Sequence, residues 1–600
     1  MGVSRRVSTV EVDAFIRYCP TKVATVYFNR CDGAAELLLG RPSFHTRPVD
    51  WASTDMRLDF RLVLLAFGVS FGVLACSKHS GEASAGQTSA LRQTQPRAGG
   101  ELVFAFDGTS GAAFALDPHK SGFAPHVRII RSLFDSLVVL LPEHRFGPWL
   151  AKSWEVSADG LDYTFHLRDD VTFHDGTRFD AEAVKFNFER IKEPKNALLA
   201  SAELGPYESS TVLDPLTVRV HFTRPYAPFL TNLSKPTLGI ASPAAVQKYG
   251  DQFASHPVGT GPFSLQSITT GTEISLARNA GYHWAAAGSA HDGPAWLEHL
   301  TFKNVPEEAT RVAVLQNGQA DAADLIPPQN VREFKSSSEF HLLEQEMLNL
   351  NYSIYLNVQR EPWNDRRVRE AFKRSLDLDA AVKTIYLGTT KRAWSVLSPS
   401  IFGYNQALEN SWQPDPASAK RTLDELGWKP GPDGIRVKDG KRLSLVFLDT
   451  QGNREKRMDL LTLLRRQIHD TGFELRVDTE ATGSYLEKAK TGDYDVLAGS
   501  LFTPDPDALR RIFGSVGRPP WTYFRGVDPE LDTLLDQGAS ALTPEARVKS
   551  YAQAQQLIVD QVYAIPTYVL NYSVAAKNRV QGLVIDAHGF PVFSDAWLRQ

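Results

Sequence analysis

The sequence predicts a mixed α/β fold, and three local patterns support this prediction. Residues 163–168 alternate between apolar and polar side chains, which is typical of a half-buried strand. Residues 216–222 alternate in the same way. After Asp180, apolar side chains recur every three or four residues, which is the spacing of an amphipathic helix. No repeat of 20–50 residues is detectable, so a repeat array is not expected.

Three helices are predicted in this body of the chain. The first is expected to use Asp180 as its N-cap and to bury one face, made of Ala181, Val184, Phe188 and Ile191. A second is predicted from about Pro306 to Asn317, with Gly318 just beyond its C-terminus. A third follows Asn364 and carries apolar residues on one side: Val368, Ala371, Phe372 and Leu376.

Length and charge limit the classes of partner. The chain has 600 residues, which corresponds to about four domain-sized units. Its 65 basic and 69 acidic residues give a formal charge of −4, so there is no basic excess to neutralise phosphates. We therefore expect no nucleic-acid partner.

All three cysteines, Cys19, Cys31 and Cys76, lie near the N-terminus. The rest of the chain carries no thiol, so it needs no disulfide and has no Cys-based zinc site. Other local motifs give little evidence for cofactor binding or catalysis. A Gly-Thr-Gly stretch at Gly259 lacks the rest of a dinucleotide fingerprint, and His174-Asp175-Gly176 fits a turn. No cofactor and no metal site are predicted.

An export signal is predicted at residues 56–75. Arg57 and Arg61 precede an apolar stretch, Leu62–Ala75, whose 14 residues are fewer than the ~20 that cross a bilayer. The stretch ends in Val73–Cys76, which resembles the lipobox of bacterial lipoproteins and predicts lipidation of Cys76. A non-lipidated secretory signal and a short buried helix are the alternatives.

The segments on either side of this signal have their own predictions. Residues 1–55 precede the signal without clear periodicity, so we expect them to be a mis-assigned upstream extension, with translation starting at Met56. Residues 76–100 are rich in Ser, Gly, Ala and Gln and are expected to form a flexible tether.

Longer stretches along residues 100–600 resemble the family 5 extracellular solute-binding proteins, the dipeptide, oligopeptide and nickel receptors of ABC importers. They occur in the family's order: Leu116–Gly122, Ser132–Val138, Pro148–Ile191, Pro257–Phe263, Arg278–Trp284 and Asp365–Phe372. Because these stretches extend over the whole body of the chain, they are more specific than any single motif.

The resemblance implies an α/β fold of the periplasmic-binding-protein type II class, with two lobes and an extra inserted domain, three domains in all. Lobe I would combine residues 100–137, 258–341 and 565–600. The accessory inserted domain would span 138–257, and lobe II would span 342–564. The chain would cross between lobes near Asn351 and Pro566, which would form the hinge.

The resemblance also implies function. Such a protein captures a peptide-like or other small solute between its lobes and passes it to ABC permease and ATPase subunits, without being an enzyme. It would work on the periplasmic or extracellular face of a bacterium, attached to the membrane only through its lipid anchor. A secreted hydrolase and a sensory ligand-binding module are the alternatives.

One stretch departs from the family's peptide receptors. Those receptors commonly hold a peptide's α-ammonium with an Asp just before a Pro-Asp-Pro-like turn, whereas here that position falls on Phe502. Losing one partner of a desolvated charge pair costs about 2–5 kcal/mol, so a free amino terminus is not expected to bind there in the usual way. Asp505 could replace the missing carboxylate, or could cap the backbone of its own turn. We expect the ligand to be an apolar or aromatic-rich small molecule or a modified peptide.

Four residues are candidate ligand contacts. Trp394 and Phe502 could offer aromatic faces, Asp505 a carboxylate, and Arg510 a partner for an acidic ligand group. The alternative for each of them is a position in the core or on the surface without contact to a ligand.

Overall fold

The alternating segments are strands in the computed structural model, which describes residues 95–108, 115–121, 124–196, 199–451, 453–515 and 523–599. Asp162–Leu167 and Thr217–Phe222 pair antiparallel, with Phe165 opposite Val218. Their buried side chains form every second position, as predicted. The upstream extension, the signal, Cys76 and the tether up to residue 94 lie outside the described residues, so the statements about them stay predictions.

The predicted helices are present, with boundaries set by their capping side chains. In Ala181–Lys192 the Asp180 carboxylate accepts the Ala183 N–H at 2.9 Å. The second helix begins at Glu308 rather than at Pro306, because the Glu307 carboxylate accepts two of the first free N–H groups. Gly318 follows it with a φ of +87°.

The largest sheet, of seven strands, mixes parallel and antiparallel pairing. Its spatial order is Phe340–Glu346, Asn571–Lys577, Ala322–Asp324, Glu101–Phe106, His299–Asn304, Glu273–Arg278 and Phe263–Thr269. Three helices pack on it: Ala124–Leu133, Glu308–Gln316 and Pro328–Ser336. Two short ladders at the C-terminus adjoin it: Val580–Gln581 with Trp597–Leu598, and Val584–Ile585 with Pro591–Val592. We call this assembly, including residues 580–599, the seven-stranded layer.

A second sheet has five strands, in the order Glu474–Glu480, Ser444–Thr450, Val496–Phe502, Asn349–Leu356 and Ala564–Tyr568. The helices of the same part of the chain are Arg366–Arg374, Leu378–Tyr386, Pro416–Glu425, Arg457–His469, Thr482–Thr491, Ala508–Phe513, Pro529–Ser540 and Pro544–Asp560. A small ladder joins Lys429–Pro430, Arg436–Lys438 and Lys441–Arg442. We call the described residues of 349–568 the five-stranded layer.

A third sheet has four strands, in the order Ala151–Val156, Asp162–Leu167, Thr217–Phe222 and Tyr207–Asp214. A hairpin, Val138–Leu141 with Arg145–Pro148, precedes it. The α-helices in this part are Ala181–Lys192, Leu199–Leu204 and Phe229–Leu233, and Pro243–Tyr249 follows them. We call the described residues of 138–240 the four-stranded layer, because their buried apolar side chains belong to one cluster.

The chain crosses twice between the seven-stranded and five-stranded layers. The first crossing is at Met347 and Leu348, and the second is at Val569 and Leu570. The Met347 N–H donates to the Leu570 carbonyl at 3.0 Å, so the two crossings run side by side.

That the crossings form a hinge stays a prediction, and the crossings lie within a few residues of the two expected positions, Asn351 and Pro566. Both lie inside strands of the five-stranded layer, where Ser353 pairs with Pro566. The expected boundaries at 341/342 and 564/565 also fall inside strands, since Leu342 to Glu346 pair in the larger sheet and Ile565 to Tyr568 pair in the smaller one.

Two glycines before the strand Phe263–Thr269 allow a close approach of backbones. A Cβ added to Gly259 would lie 2.2 Å from the Leu133 carbonyl, and one on Gly261 would lie 2.5 Å from the Leu133 carbonyl carbon. The turn predicted at 174–176 is present, with Gly176 at a φ of +82°. His174 forms a hydrogen bond with the segment that contains these two glycines, since its Nδ1 accepts the Gly259 N–H.

Asp135 is a fully buried carboxyl where these segments meet. Its Oδ2 accepts from the Trp284 indole N–H and from the Thr260 hydroxyl, both at 3.0 Å. Burial raises the pKa of Asp135 to about 7, although these hydrogen bonds act to lower it. Between the ordinary pKa of 3.8 and about 7, the folded protein therefore keeps a proton that the unfolded chain has lost.

Asp135→Asn should make the protein more stable than wild type at pH 8, by a margin that shrinks as the pH falls toward the ordinary carboxyl pKa of 3.8. The contribution of the protonated carboxyl is fully present only below that value and is lost progressively as the pH rises from there through about 7. The difference at pH 8 is on the order of 4 kcal/mol at most. Thermal midpoints of both proteins across pH 5–8 check this, and parallel curves would contradict it.

Candidate functional site

Three layers meet around the ring of Phe502, the last residue of Val496–Phe502. Its ring centroid lies 4.5 Å from that of Phe590 and 6.2 Å from that of His588, both in the seven-stranded layer. The Lys235 ammonium of the four-stranded layer lies 5.6 Å from the ring. This candidate ligand contact therefore lies where the three layers meet, and its contact with a solute stays a prediction.

Asn349 is a buried amide beside this ring. It pairs with Phe502 across the sheet, which places the two side chains next to each other. The residue is 1% exposed, and neither Oδ1 nor Nδ2 has a hydrogen-bond partner within the described part of the chain. Leaving such a group unsatisfied costs about 1–3 kcal/mol, so a ligand that pairs with both atoms would gain affinity.

His588 presents a second buried polar atom at the ring. The Ser234 hydroxyl donates to the Thr231 carbonyl at 2.7 Å, so its oxygen is left to accept from His588 Nε2–H at 3.1 Å. Burial lowers the pKa of His588 to about 3, so the imidazole is neutral at physiological pH. In this tautomer Nδ1 is an acceptor, and among the described residues it has no donor.

The cation nearest the ring is already paired. Lys235 forms a buried ion pair with Glu203, whose other oxygen accepts from the Thr237 hydroxyl. Burial lowers the pKa of Lys235, while Glu203 acts to raise it. Lys235 therefore lines the site, and its charge is already neutralised by Glu203.

Asp505 is likewise paired within its own layer. Its Oδ1 accepts from Arg547 Nη2 at 2.7 Å and from the Asp507 N–H at 2.8 Å. Burial acts to lower the pKa of Arg547, but Asp505 outweighs it and the pKa is raised. The turn-capping use of Asp505 is thus confirmed, whereas a ligand contact through its other oxygen stays a prediction.

Asp507 neutralises Arg510 in the same way. The Arg510 guanidinium binds Asp507 through two N–H groups, at 2.8 and 2.6 Å. Asp507 also accepts from Tyr551 at 3.2 Å and, across to the four-stranded layer, from Tyr226 at 3.4 Å. The negative charge of Asp507 raises the pKa of Arg510, which therefore stays protonated.

The loop after Ser444–Thr450 links the five-stranded and seven-stranded layers by charge. Lys456 forms an ion pair with Glu308 across the two layers. The Glu455 carboxylate accepts from Tyr568 at 3.0 Å and from Arg457 at 2.9 Å. Burial acts to raise the pKa of Glu455, but neighbouring arginines lower it to about 2. Of these contacts, the pair of Lys456 and Glu308 joins the two layers, and the Glu455 contacts lie within the five-stranded layer.

Trp394 is placed with a different set of residues. Its ring centroid lies 6.3 Å from that of Trp412 and 4.7 Å from Arg392 Cζ. Asp505 and Arg510 are connected through Asp507, and Phe502 precedes Asp505 by three residues on the same segment. The four candidates thus form two groups.

Several residues of these groups have no signal in the linear sequence. Asn349, Lys235, His588 and Arg547 look like ordinary strand, loop or helix residues until the layers assemble. Arg392 had a weak signal, since it precedes Trp394 by two positions.

Comparison with known proteins now identifies the chain's relatives. Residues 145–518, more than half of the chain, match the family model described as bacterial extracellular solute-binding proteins, family 5 Middle. The chain belongs to this family. A family 5 solute-binding protein is the ligand-binding component of an ABC importer, and its homologues bind solutes for transporters rather than acting as enzymes.

One family 5 relative is the glutathione-binding protein GsiB of Escherichia coli O1:K1. It is 28% identical over 532 residues, which cover 87% of this chain and 99% of GsiB. The family is extracellular and its homologues are periplasmic. In the described part of the chain, no helix has both the length and the apolar composition that crossing a bilayer requires.

Solved structures of the family have the same fold. DppA of Helicobacter pylori, in complex with the peptide STSA, has a TM-score of 0.72 and 23% identity, and the match covers 85% of this chain and 100% of DppA. NikA of Brucella suis, in complex with Fe(III)-EDTA, has a TM-score of 0.71 and 25% identity, with coverage of 83% and 99%. AppA of Bacillus subtilis, in complex with a nonapeptide, has a TM-score of 0.74 and 21% identity, with coverage of 84% and 100%. The prediction of a mixed α/β, type II periplasmic-binding fold is confirmed.

Asp505→Ala should destabilise the protein, because it leaves Arg547 as an unpaired buried charge. A loss of about 3–5 kcal/mol is expected in the free energy of unfolding, measured from urea transitions. The double variant Asp505→Ala/Arg547→Met should recover most of it. Asp169→Ala, which breaks an exposed pair with Lys152, is the control and should change little. A wild-type transition for Asp505→Ala would contradict this account.

Proposed function

We propose that this family 5 protein captures an amide-containing solute of the modified-peptide class at the Phe502 ring and delivers it to its permease. The observation that carries the proposal is the pair of buried, unpartnered polar groups beside that ring, the Asn349 amide and His588 Nδ1. Phe502 and Phe590, whose rings pack against each other, supply apolar surface beside these groups.

The chemistry of these groups favours an amide. The Asn349 side chain offers one acceptor and two donor hydrogens, which complement the N–H and C=O of a peptide bond. His588 Nδ1 accepts, so it suits a second N–H of the solute. The rings of Phe502 and Phe590 can pack on apolar parts of the solute, where aromatic pairing and burial add affinity.

The charges of the site disfavour a free α-ammonium. Asp505 and Asp507 already neutralise Arg547 and Arg510, so an ammonium would have to share a carboxylate whose charge is already paired. A solute whose amino group is acylated avoids this competition. Glutathione, the ligand named for the relative GsiB, has a γ-linked amide but keeps a free α-ammonium, so it separates the effect of the linkage from that of the amino group.

Capture would proceed by closure of the layers. Only a ligand that binds the closed state better than the open one can shift the equilibrium toward closure. The Asn349 amide and His588 belong to the two layers joined by the crossings, so a solute that binds both atoms has this property. The ion pair of Lys456 and Glu308 would form as the layers meet.

The ligand class is tested by isothermal titration with glutathione, N-acetyl-trialanine and the unmodified dipeptide Met-Leu. We expect N-acetyl-trialanine, which has no free amino group, to bind more tightly than Met-Leu. Asn349→Leu should weaken that binding by about tenfold or more, since it removes both amide contacts. Asn330→Leu, the same change on an outer helix, should leave it unaltered. Tight binding of Met-Leu alone, unchanged in Asn349→Leu, would refute the proposal.

The lipid anchor at Cys76 is proposed from the sequence. When the full chain is produced in a bacterium grown with labelled palmitate, we expect label on the mature protein and its recovery with membranes. Cys76→Ser should remove both, while Cys31→Ser should leave both unchanged. Mass spectrometry of a mature protein with an unmodified Cys76 would count against the anchor.

A further inference from the structure

Arg392 lies against two indole rings at the edge of the five-stranded layer. Its backbone pairs with Tyr568 of the edge strand Ala564–Tyr568. Its Cζ is 4.7 Å from the ring centroid of Trp394 and 4.9 Å from that of Trp412. The two rings meet edge to face at 73°, so they form a corner that shields the guanidinium. The Arg392 side chain is only 6% exposed.

The Arg392 guanidinium forms hydrogen bonds through Nη1 but not along its Nε–Nη2 edge. Nη1 donates to the carbonyls of Ala393, Pro566 and Thr567, the last two at 2.6 and 3.3 Å. Nε and Nη2 have no acceptor among the described residues. The N–H groups of Nε and Nη2 are parallel donors on one side of the guanidinium, the edge that binds carboxylates in a bidentate manner.

A third unpartnered donor lies in the same cluster. The Trp412 indole N–H is buried and has no acceptor within the described part of the chain. All three unpartnered atoms are thus donors, and none is an acceptor. This set differs from the mixed donors and acceptors beside Phe502, and it fits a group that only accepts hydrogen bonds.

The charge of Arg392 is only weakly compensated. Asp379 comes within ion-pair distance, with its Oδ2 4.0 Å from Nε, which is beyond hydrogen-bond distance. The Asp379 side chain is itself 53% exposed and solvated. Burial lowers the pKa of Arg392 to about 9, against the opposing effect of Asp379 and Asp377. An anion paired with the buried Nε–Nη2 edge would favour the charged form.

We propose that the Nε–Nη2 edge of Arg392, together with the Trp412 indole N–H, binds a carboxylate. An ionised carboxylate has two acceptor oxygens in one plane, which match the two parallel donors of the guanidinium and leave lone pairs for the indole. The carboxylate belongs either to the captured solute or to a free organic anion.

The position of Arg392 is compatible with a carboxylate that belongs to the captured solute. Tyr568, which pairs with Arg392, also pairs with Tyr352, and Tyr352 is three residues along the strand from Asn349. That offset is about 10 Å along the strand, with two strand spacings of about 4.8 Å across it. A solute of about four residue lengths could span both sites. This arm of the proposal rests on the proposed function, whereas the anion site itself does not.

The anion site is tested with sodium acetate against sodium chloride at equal ionic strength, using the thermal midpoint and tryptophan fluorescence of the whole protein. We expect a saturable response to acetate alone. Arg392→Lys, which keeps the charge but not the parallel edge, should weaken the response about tenfold. Asp379→Asn should strengthen it, because the competing carboxylate is removed. Lys391→Gln removes an exposed neighbouring charge and should have little effect.

The anion site would be overturned if acetate and chloride changed the thermal midpoint and the fluorescence equally. It would also be overturned if Arg392→Lys responded to acetate as strongly as wild type. A third contrary result would be that Lys391→Gln loses as much of the acetate response as Arg392→Lys does. Because Asp379→Asn alters only an exposed side chain, it tests the site even where Arg392→Lys fails to fold.

A second arm identifies the source of the carboxylate. N-acetyl-trialanine is compared with its C-terminal amide in wild type and in Arg392→Lys. If the carboxylate is the solute's, amidation should weaken binding about tenfold in wild type but not in the variant. An acetate response without an effect of amidation assigns the site to a free anion. If neither peptide binds, the proposed function fails while the acetate result still decides the anion site.

Discussion

The pairing of Asp505 with Arg547 and of Asp507 with Arg510 sets the chemistry of the Phe502 site. Each carboxylate follows the strand Val496–Phe502 and faces an arginine of its own layer. A buried charge that lost its partner would destabilise the protein by several times the thermal energy, so these arginines are not readily exchanged for a ligand's ammonium. The polar groups left beside Phe502 are neutral: an amide and a neutral imidazole. The site is therefore suited to a neutral, amide-bearing part of a solute.

The two crossings between layers make this site possible. Asn349 lies just after the first crossing, and His588 lies beyond the second, in the C-terminal part of the seven-stranded layer. Because the two crossings run side by side, the layers can move relative to one another at only a few residues, as hinge motions require. The polar atoms that face Phe502 come from both sides of this hinge. In the proposed function, the positions of Asn349 and His588 would couple binding to closure, while Lys456 and Glu308 form a charged contact between the same layers.

Local features of the fold were predictable from the sequence, and long-range ones were not. Asp180 caps its helix and residues 163–167 alternate in burial, because capping and strand periodicity depend on near neighbours. The crossings lie a few residues from the positions expected for them, because the end of a strand depends on a partner strand far away in the chain. At the site, Phe502 and Asp505 were predicted from their offset to a turn. Their partners were not, since Ser234 and His588 are 354 positions apart and Asp505 and Arg547 are 42 apart. The sequence made Trp394 a candidate ligand contact but not Arg392, because a guanidinium edge without a hydrogen-bond partner is visible only in three dimensions.

A crystal structure of the protein with the solute that co-purifies from its own host would test the central claim most directly. The account predicts a solute amide on the Asn349 side chain and an N–H on His588 Nδ1, beside Phe502, with both arginine pairs intact. A solute ammonium bound to Asp505 or Asp507, with Arg547 or Arg510 displaced, would contradict it.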